Sequence, residues 1–137
     1  MSQLGKLNDF NASRRALADR YDAALRRLSP MVRPVDRVAR CNPAWHIYVV
    51  HVDFAAAGVT RAALMSALRK KGVGTQVHYL PVHRQPYYRR LYGDLSLAGA
   101  DAYYQSCLTL PLFVAMTDAD VEHVVEALGE ALKNLNH

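Results

Sequence analysis

Trp45-His46-Ile47-Tyr48-Val49-Val50-His51-Val52 is the stretch whose reading decides the fold. It is dense in aromatic and β-branched residues, the types that pack well on a pleated surface. Its two alternating sets, Trp45, Ile47, Val49 and Tyr48, Val50, Val52, are both largely apolar. That pattern predicts a well-covered strand inside a sheet. Downstream, Thr60 offers an N-cap, and Leu64, Ala67 and Leu68 form a short stripe at helical spacing. Arg69-Lys70-Lys71-Gly72 then supplies cations and a glycine, a helix stop signal. Thr75 to Leu80 reads as a second strand, broken by Pro81. A short helix is expected from Pro86, carrying Tyr87, Tyr88, Leu91 and Tyr92 and ending at Gly93, with another turn or two over Ala100 to Gln105. Cys107-Leu108-Thr109-Leu110 reads as a third strand stopped by Pro111.

The last helix carries the strongest pattern. Thr117 caps it, Asp118 and Asp120 lie in its first turn, and Val121, Val124, Val125, Leu128, Leu132 and Leu135 keep helical spacing. Upstream of the central strand, Leu7, Phe10, Leu17, Tyr21, Leu25 and Leu28 predict an amphipathic leading helix over 1–29, ended by Pro30 and Pro34. The expected architecture is α+β, a small, mainly antiparallel sheet covered by helices. It occupies residues 1–137 as one domain, with an α+β core over 44–137.

The 137 residues suffice for one core, and 51% hydrophobic against 21% charged residues is ordinary globular composition. No apolar run approaches the ~20 residues that cross a bilayer. Met1-Ser2-Gln3-Leu4-Gly5-Lys6 lacks the features of a signal peptide, so a cytoplasmic protein is expected, without membrane association. Cys41 and Cys107 read as two reduced thiols, with one disulfide left open. The net charge of +5 comes mostly from arginine, at Arg14, Arg15, Arg20, Arg26 and Arg27, and again at Arg84, Arg89 and Arg90. Such a balance fits a nucleic acid or a phosphorylated ligand as well as a solvated face. The interleaving of the first cluster with Asp19 and Asp22 favours the solvated face. Nucleic-acid binding is not expected, because no helix-turn-helix, zinc-finger or RNA-recognition signature is present. A stand-alone basic binding or regulatory module is the alternative reading of the whole chain.

Three segments invite a chemical reading: Trp45-His46, Gly74 to His83, and Gln85 to Tyr92. His78 and His83 are five apart across a proline, and no Cys-x-x-Cys or His-Glu-x-x-His run accompanies them, so no metal site is expected. No serine lies in a Gly-x-Ser-x-Gly elbow, and Gly72 and Gly74 fit a tight turn better than a phosphate loop. The tyrosines after Pro86 fit either base stacking or an amphipathic helix that packs its rings.

The same segments, taken in order, closely resemble the sugar-nucleotide aminotransferases of the DegT/DnrJ/EryC1/StrS family. The carrying stretches are Ala44 to Val50, Leu64 to Pro81 with its Lys70-Lys71-Gly72-Val73-Gly74-Thr75-Gln76-Val77-His78-Tyr79 core, Val82 to Tyr88, and Leu108 to Leu112 with Met116-Thr117-Asp118. The His-Tyr-x-Pro-x-His-x-Gln-Pro-Tyr-Tyr run is most similar to the branch that aminates 4-keto-6-deoxy-hexosamine nucleotides, as in pseudaminic acid synthesis. The lipid A aminoarabinose branch is nearly as similar.

The resemblance implies the small domain of a fold-type I transferase. Such enzymes are homodimers that carry pyridoxal phosphate on a lysine and move an amino group from glutamate to the ketone of a nucleotide sugar. In the family that lysine lies in a large domain preceding the small one. The lysines here, Lys6, Lys70, Lys71 and Lys133, fall outside the family's lysine motif. The chain is therefore expected to hold no catalytic residue and no cofactor of its own, and to need the missing large domain as partner. By the same resemblance His46, His78 and Tyr79 face the cofactor and sugar at strand ends. His46 and His78 would hydrogen-bond substrate or donor carboxylate, and His83 or Arg84 would reach the nucleotide or sugar. His51 and His123 read as packing or surface residues.

Overall fold

The computed structural model describes residues 3–135. Met1, Ser2, Asn136 and His137, the ends of the expected 1–137 domain, lie outside the described residues. A 3₁₀ turn at Gln3–Lys6 leads into helix α1 (Leu7–Leu25), and a second 3₁₀ turn follows at Arg26–Leu28. Only the distal part of the expected apolar stripe is buried: Leu17, Ala18, Tyr21 and Leu25 pack inward, while Leu7 is exposed. Helix α5 (Asp118–Leu135), named for its place in chain order, runs against α1. Its first turn is closed reciprocally. The Thr117 N–H and hydroxyl donate to Asp120 Oδ2 at 2.7 and 2.8 Å, and the Asp120 N–H donates back to Thr117 Oγ1 at 3.3 Å. Val121, Val124, Val125, Leu128 and Leu132 are buried as their spacing requires. At Gly129 a Cβ would lie 3.0 Å from Leu28 Cδ2, so this glycine lets α5 close onto the 26–28 turn.

Three strands form the sheet: β1 (Val32–Pro34), β2 (Tyr48–Val52) and β3 (Cys107–Leu110), in the order β1-β2-β3 and antiparallel throughout. The registers Val32↔Val52 and Tyr48↔Leu110 bring Val32, Tyr48, Val50, Val52, Leu108 and Leu110 into one buried layer. These residues share a core with α1, α5 and α2 (Arg61–Lys70). Thr60 caps α2 by accepting the Ala63 N–H at 3.1 Å, and Gly72 closes it at φ 79°, where glycine alone carries no Cβ penalty. Helices α3 (Pro86–Tyr92) and α4 (Ala98–Ser106) complete the chain. The α+β architecture with its small antiparallel sheet is thus as expected.

Three local expectations are corrected. Thr75 to Leu80 is not a strand: only Gln76 bridges to Thr109, and the chain then leaves the sheet edge. The central strand begins at Tyr48 rather than Trp45 and is covered on one face only. Tyr48, Val50 and Val52 are buried, whereas Val49 and His51 on the opposite face are half-buried. The reason is that α1, α2 and α5 share one layer, leaving α4 to meet the other side in part. Finally, Pro34 does not end a helix. It sits in the edge strand β1, where a missing N–H costs no ladder bond.

Candidate functional site

The segment between Gln76 and Gln85 leaves the edge of β3 and is held at two points. At the first, His78 Nδ1 lies 2.9 Å from Thr109 Oγ1, a hydrogen bond that ties the ring to the strand. The Tyr79 ring stands edge-on to His78 at 4.7 Å and is 74% exposed. Tyr79 thus presents its ring to solvent beside an anchored histidine.

At the second point, the 3₁₀ turn Val82–Arg84 docks on α4 through Asp101. His83, nearly buried, donates from Nε2 to Asp101 Oδ1 at 3.1 Å, and an Arg84 guanidinium N–H donates to the same oxygen at 2.7 Å. The Leu97 N–H donates to Oδ2 at 3.1 Å. Burial pushes the Asp101 carboxyl upward, but the His83 hydrogen bond, the Arg84 charge and hydrogen bond and the Leu97 N–H outweigh it and hold the group below its usual range. The arrangement thus keeps a fixed carboxylate beneath a half-exposed arginine.

His46 stands apart. It is exposed, in the bend before β2, and no hydrogen bond, ion pair or ring contact joins it to His78, Tyr79, His83 or Arg84. Its neighbour Trp45 carries the local structure. The Arg37 guanidinium lies 5.1 Å above the Trp45 ring and reaches Asp19 and Asp22 on α1 at 2.6 and 2.7 Å. Asp22 also accepts the Tyr48 hydroxyl at 2.5 Å, and Tyr48 stacks on Tyr21 at 4.6 Å. Around them lies a groove of about 360 Å³, lined mainly by apolar side chains including Val35, Val38, Trp45, Ile47, Val49 and Tyr103. The structure therefore brings together His78 with Tyr79, and His83 with Arg84, and leaves His46 beside a separate apolar groove.

Asp101 is the residue that sequence reading missed. Its signal was a single acid in the run Ala98-Gly99-Ala100-Asp101-Ala102, a helix start of small residues where burial of a carboxylate demands donors from elsewhere. His51 is half-buried and packed and His123 is exposed at the surface, the two roles expected for them. His51 Nδ1 sits 2.7 Å from Ser106 Oγ with Tyr103 edge-on to its ring, and His123 Nε2 sits 3.1 Å from the Lys71 carbonyl, to which its N–H donates.

Pyridoxal phosphate, if carried here, would need a desolvated lysine in a concave site. Lys6, Lys70 and Lys133 are exposed at helix ends, and Lys71, half-exposed, is paired with Glu130 at 2.6 Å. The residues of this chain do not fit that group.

The sequence model of the DegT/DnrJ/EryC1/StrS aminotransferase family matches residues 1–129. The spore coat polysaccharide biosynthesis protein SpsC of Bacillus subtilis (strain 168) is 38% identical over 136 residues, which is 97% of this chain and 35% of SpsC. Among solved structures, the aminotransferase TlmJ from Streptoalloteichus hindustanus superposes with a TM-score of 0.82 at 31% identity, over 97% of this chain and 34% of TlmJ. Helicobacter pylori PseC, an aminotransferase involved in the biosynthesis of pseudoaminic acid, superposes at 0.86 and 20% identity over 96% of this chain and 35% of PseC, a likeness of fold alone. The chain spans about a third of the length of each of these relatives.

Proposed function

The chain belongs to the DegT/DnrJ/EryC1/StrS aminotransferase family, and from that membership we propose that it is the C-terminal small domain of a pyridoxal-phosphate-dependent aminotransferase of nucleotide-linked sugars. The acceptor is the ketone of a 4-keto-6-deoxy sugar nucleotide, the donor is glutamate, and the product feeds surface polysaccharide. The observation that carries this reading is the 38% identity to a polysaccharide-biosynthesis protein across 97% of the chain. Residues 1–137 act as one domain, with the leading helix at 1–29 and the α+β core at 44–137. The enzyme is cytoplasmic and homodimeric. The exposed rings of Tyr79, Tyr87 and Tyr92 provide surface for the large domain or the second subunit to cover.

In this reading the chain lends residues to a cleft completed elsewhere. His78, oriented by Thr109, and Tyr79 face the reacting end of the sugar, and His46 meets a substrate or donor carboxylate. His83 or Arg84 lies toward the nucleotide or sugar, and of the two Arg84 is the half-exposed one. When bound, pyridoxal phosphate supplies the electron sink for amine transfer. The residues of this chain bind and orient the substrate, and the chain alone transfers no amino group.

The test is an absorbance scan of the purified chain with pyridoxal phosphate, before and after borohydride, beside a chimaera in which the chain replaces the matching third of SpsC. The expected result is no lysine-bound cofactor band for the chain alone and glutamate-dependent amine transfer by the chimaera. A stoichiometric band with one modified lysine in the chain alone would overturn the claim of incompleteness. An inactive, folded and cofactor-loaded chimaera would overturn the assignment of substrate.

A further inference from the structure

On the face of the sheet turned away from α1, α2 and α5, Arg33 of β1 stands directly opposite His51 of β2. Side chains paired in this way are neighbours, about 5 Å apart at Cβ. Both border a cleft of about 1000 Å³ between the strand ends and α4, which Asp53, Tyr103, Gln105 and Ser106 also line. Arg33 is exposed, and among the described residues its guanidinium makes no hydrogen bond or ion pair. Its whole planar fork of N–H donors is therefore free for a ligand.

His51 supplies the opposite kind of group. Ser106 Oγ donates to the α4 carbonyls of Ala102 and Tyr103 at 3.1 and 3.3 Å, so its proton is already committed. His51 Nδ1, 2.7 Å from that oxygen, must then be the donor between them. A neutral ring that donates from Nδ1 carries a bare lone pair on Nε2. Nε2 has no partner among the described residues and is not sealed from solvent. Burial, and then the Arg33 charge, hold the ring below 6.5 against the opposing pull of Asp36. The cleft thus sets a fork of donors beside a fixed acceptor.

A carboxylate or a sulfate ester satisfies the fork but turns a lone pair toward the lone pair of Nε2. A phosphate monoester that keeps one proton satisfies both groups. Two of its oxygens meet the guanidinium, and its P–OH donates to the ring. Asp53, on the wall of the same cleft, disfavours a second negative charge there.

We propose that Arg33 and His51 form a binding site for the singly charged form of a phosphate monoester, with Ser106 as the positioning residue that orients the histidine. The site lies apart from the 82–84 turn and does not depend on the function proposed above.

The test titrates the ¹⁵N-labelled 137-residue chain with methyl phosphate and, in parallel, with methyl sulfate. The pH is about 6.5, where His51 is mostly neutral and about a quarter of a phosphate monoester still holds its proton. Methyl sulfate has the same single charge and nearly the same shape but no O–H. Saturable shifts at Arg33 Nε and His51 Nε2 are expected with methyl phosphate. Methyl sulfate should bind about tenfold more weakly than the methyl phosphate monoanion, the scale of one hydrogen bond that involves an ionised group. Arg33→Gln, at an exposed position, abolishes the shifts. Ser106→Ala frees the ring to exchange tautomers, and should weaken methyl phosphate severalfold while leaving methyl sulfate unchanged. Loss of structure would weaken both. Should Ser106→Ala fail to fold, His51→Phe keeps a ring without the acceptor and is expected to remove the preference for methyl phosphate.

Equal binding of the two esters overturns the proposal, because the histidine then distinguishes nothing. So does the absence of any saturable shift at Arg33 in the unmodified chain. Acetate that binds as tightly as methyl phosphate, with His51 Nε2 becoming protonated, would make this a carboxylate site and overturn the phosphate assignment.

Discussion

Tyr48→Phe removes a single hydroxyl from the point where α1, β2 and the Trp45 segment meet. The Tyr48 side chain is fully buried, and its ring stacks on Tyr21, a contact that phenylalanine keeps. What is lost is the hydrogen bond from the hydroxyl to Asp22 Oδ1 at 2.5 Å. Burial, and then the hydrogen bond and charge of Asp22, push the phenol well above its ordinary range, so the group remains a donor at any working pH. A hydrogen bond to a charged acceptor contributes about 1.5–3 kcal/mol. The Asp22 side chain is 30% exposed and keeps Arg37 at 2.7 Å, so its orphaned oxygen is partly rescued by water. The lower end applies, about 1.5 kcal/mol, or roughly 6 °C for a domain of this size. The assay is urea unfolding at neutral pH, run as a double-mutant cycle with Asp22→Ala. The two substitutions should couple by about 1 kcal/mol, since each removes the same bond. A Tyr48→Phe protein within about 0.3 kcal/mol of the parent, or two strictly additive effects, would refute the reasoning.

Two further outcomes follow from the structure. Burial, and then the Arg33 charge, hold the His51 ring below its ordinary value of 6.5. The unfolded state therefore binds the proton more readily, and this ring contributes stability at high pH that is lost as pH falls through 6.5 toward the lowered folded value. The drop in urea midpoint between about pH 7.5 and pH 5.5 should be smaller for His51→Asn than for the parent, and an unchanged drop would dismiss the effect. Of the two thiols, Cys41 is exposed, while Cys107 is buried; burial raises its thiol against the opposing pull of Arg61. One thiol per chain should react quickly with an aromatic disulfide reagent in the native state and both after denaturation, with the fast adduct mapped to Cys41 by mass spectrometry.

The candidate site was legible in part. His78, Tyr79, His83 and Arg84 stand out because polar and aromatic groups cluster around prolines, where the chain cannot remain in a sheet ladder. Asp101 did not stand out, because its partners at 83 and 84 lie a turn and a helix away in sequence, and no local pattern announces a buried carboxylate. His46, which the resemblance groups with His78, is exposed in the bend before β2 beside the Trp45 groove, and its partner in the site is not announced by any local pattern.

Helices α2 and α5, the α+β class and the strand at 107–110 could be read from the chain by itself. Their signals are local: a cap, an apolar period of three to four, and a stop, all within one element. Tertiary structure alone decided that Val32–Pro34 is a strand, that Thr75–Leu80 is not, and that the central strand is covered on one face. A three-residue strand has too little period to announce itself, and its identity comes from the partner that takes its hydrogen bonds. Likewise, coverage of a sheet face depends on how many helices can share the opposite layer. That is settled by packing among segments far apart in sequence, and not by the residues of the strand itself.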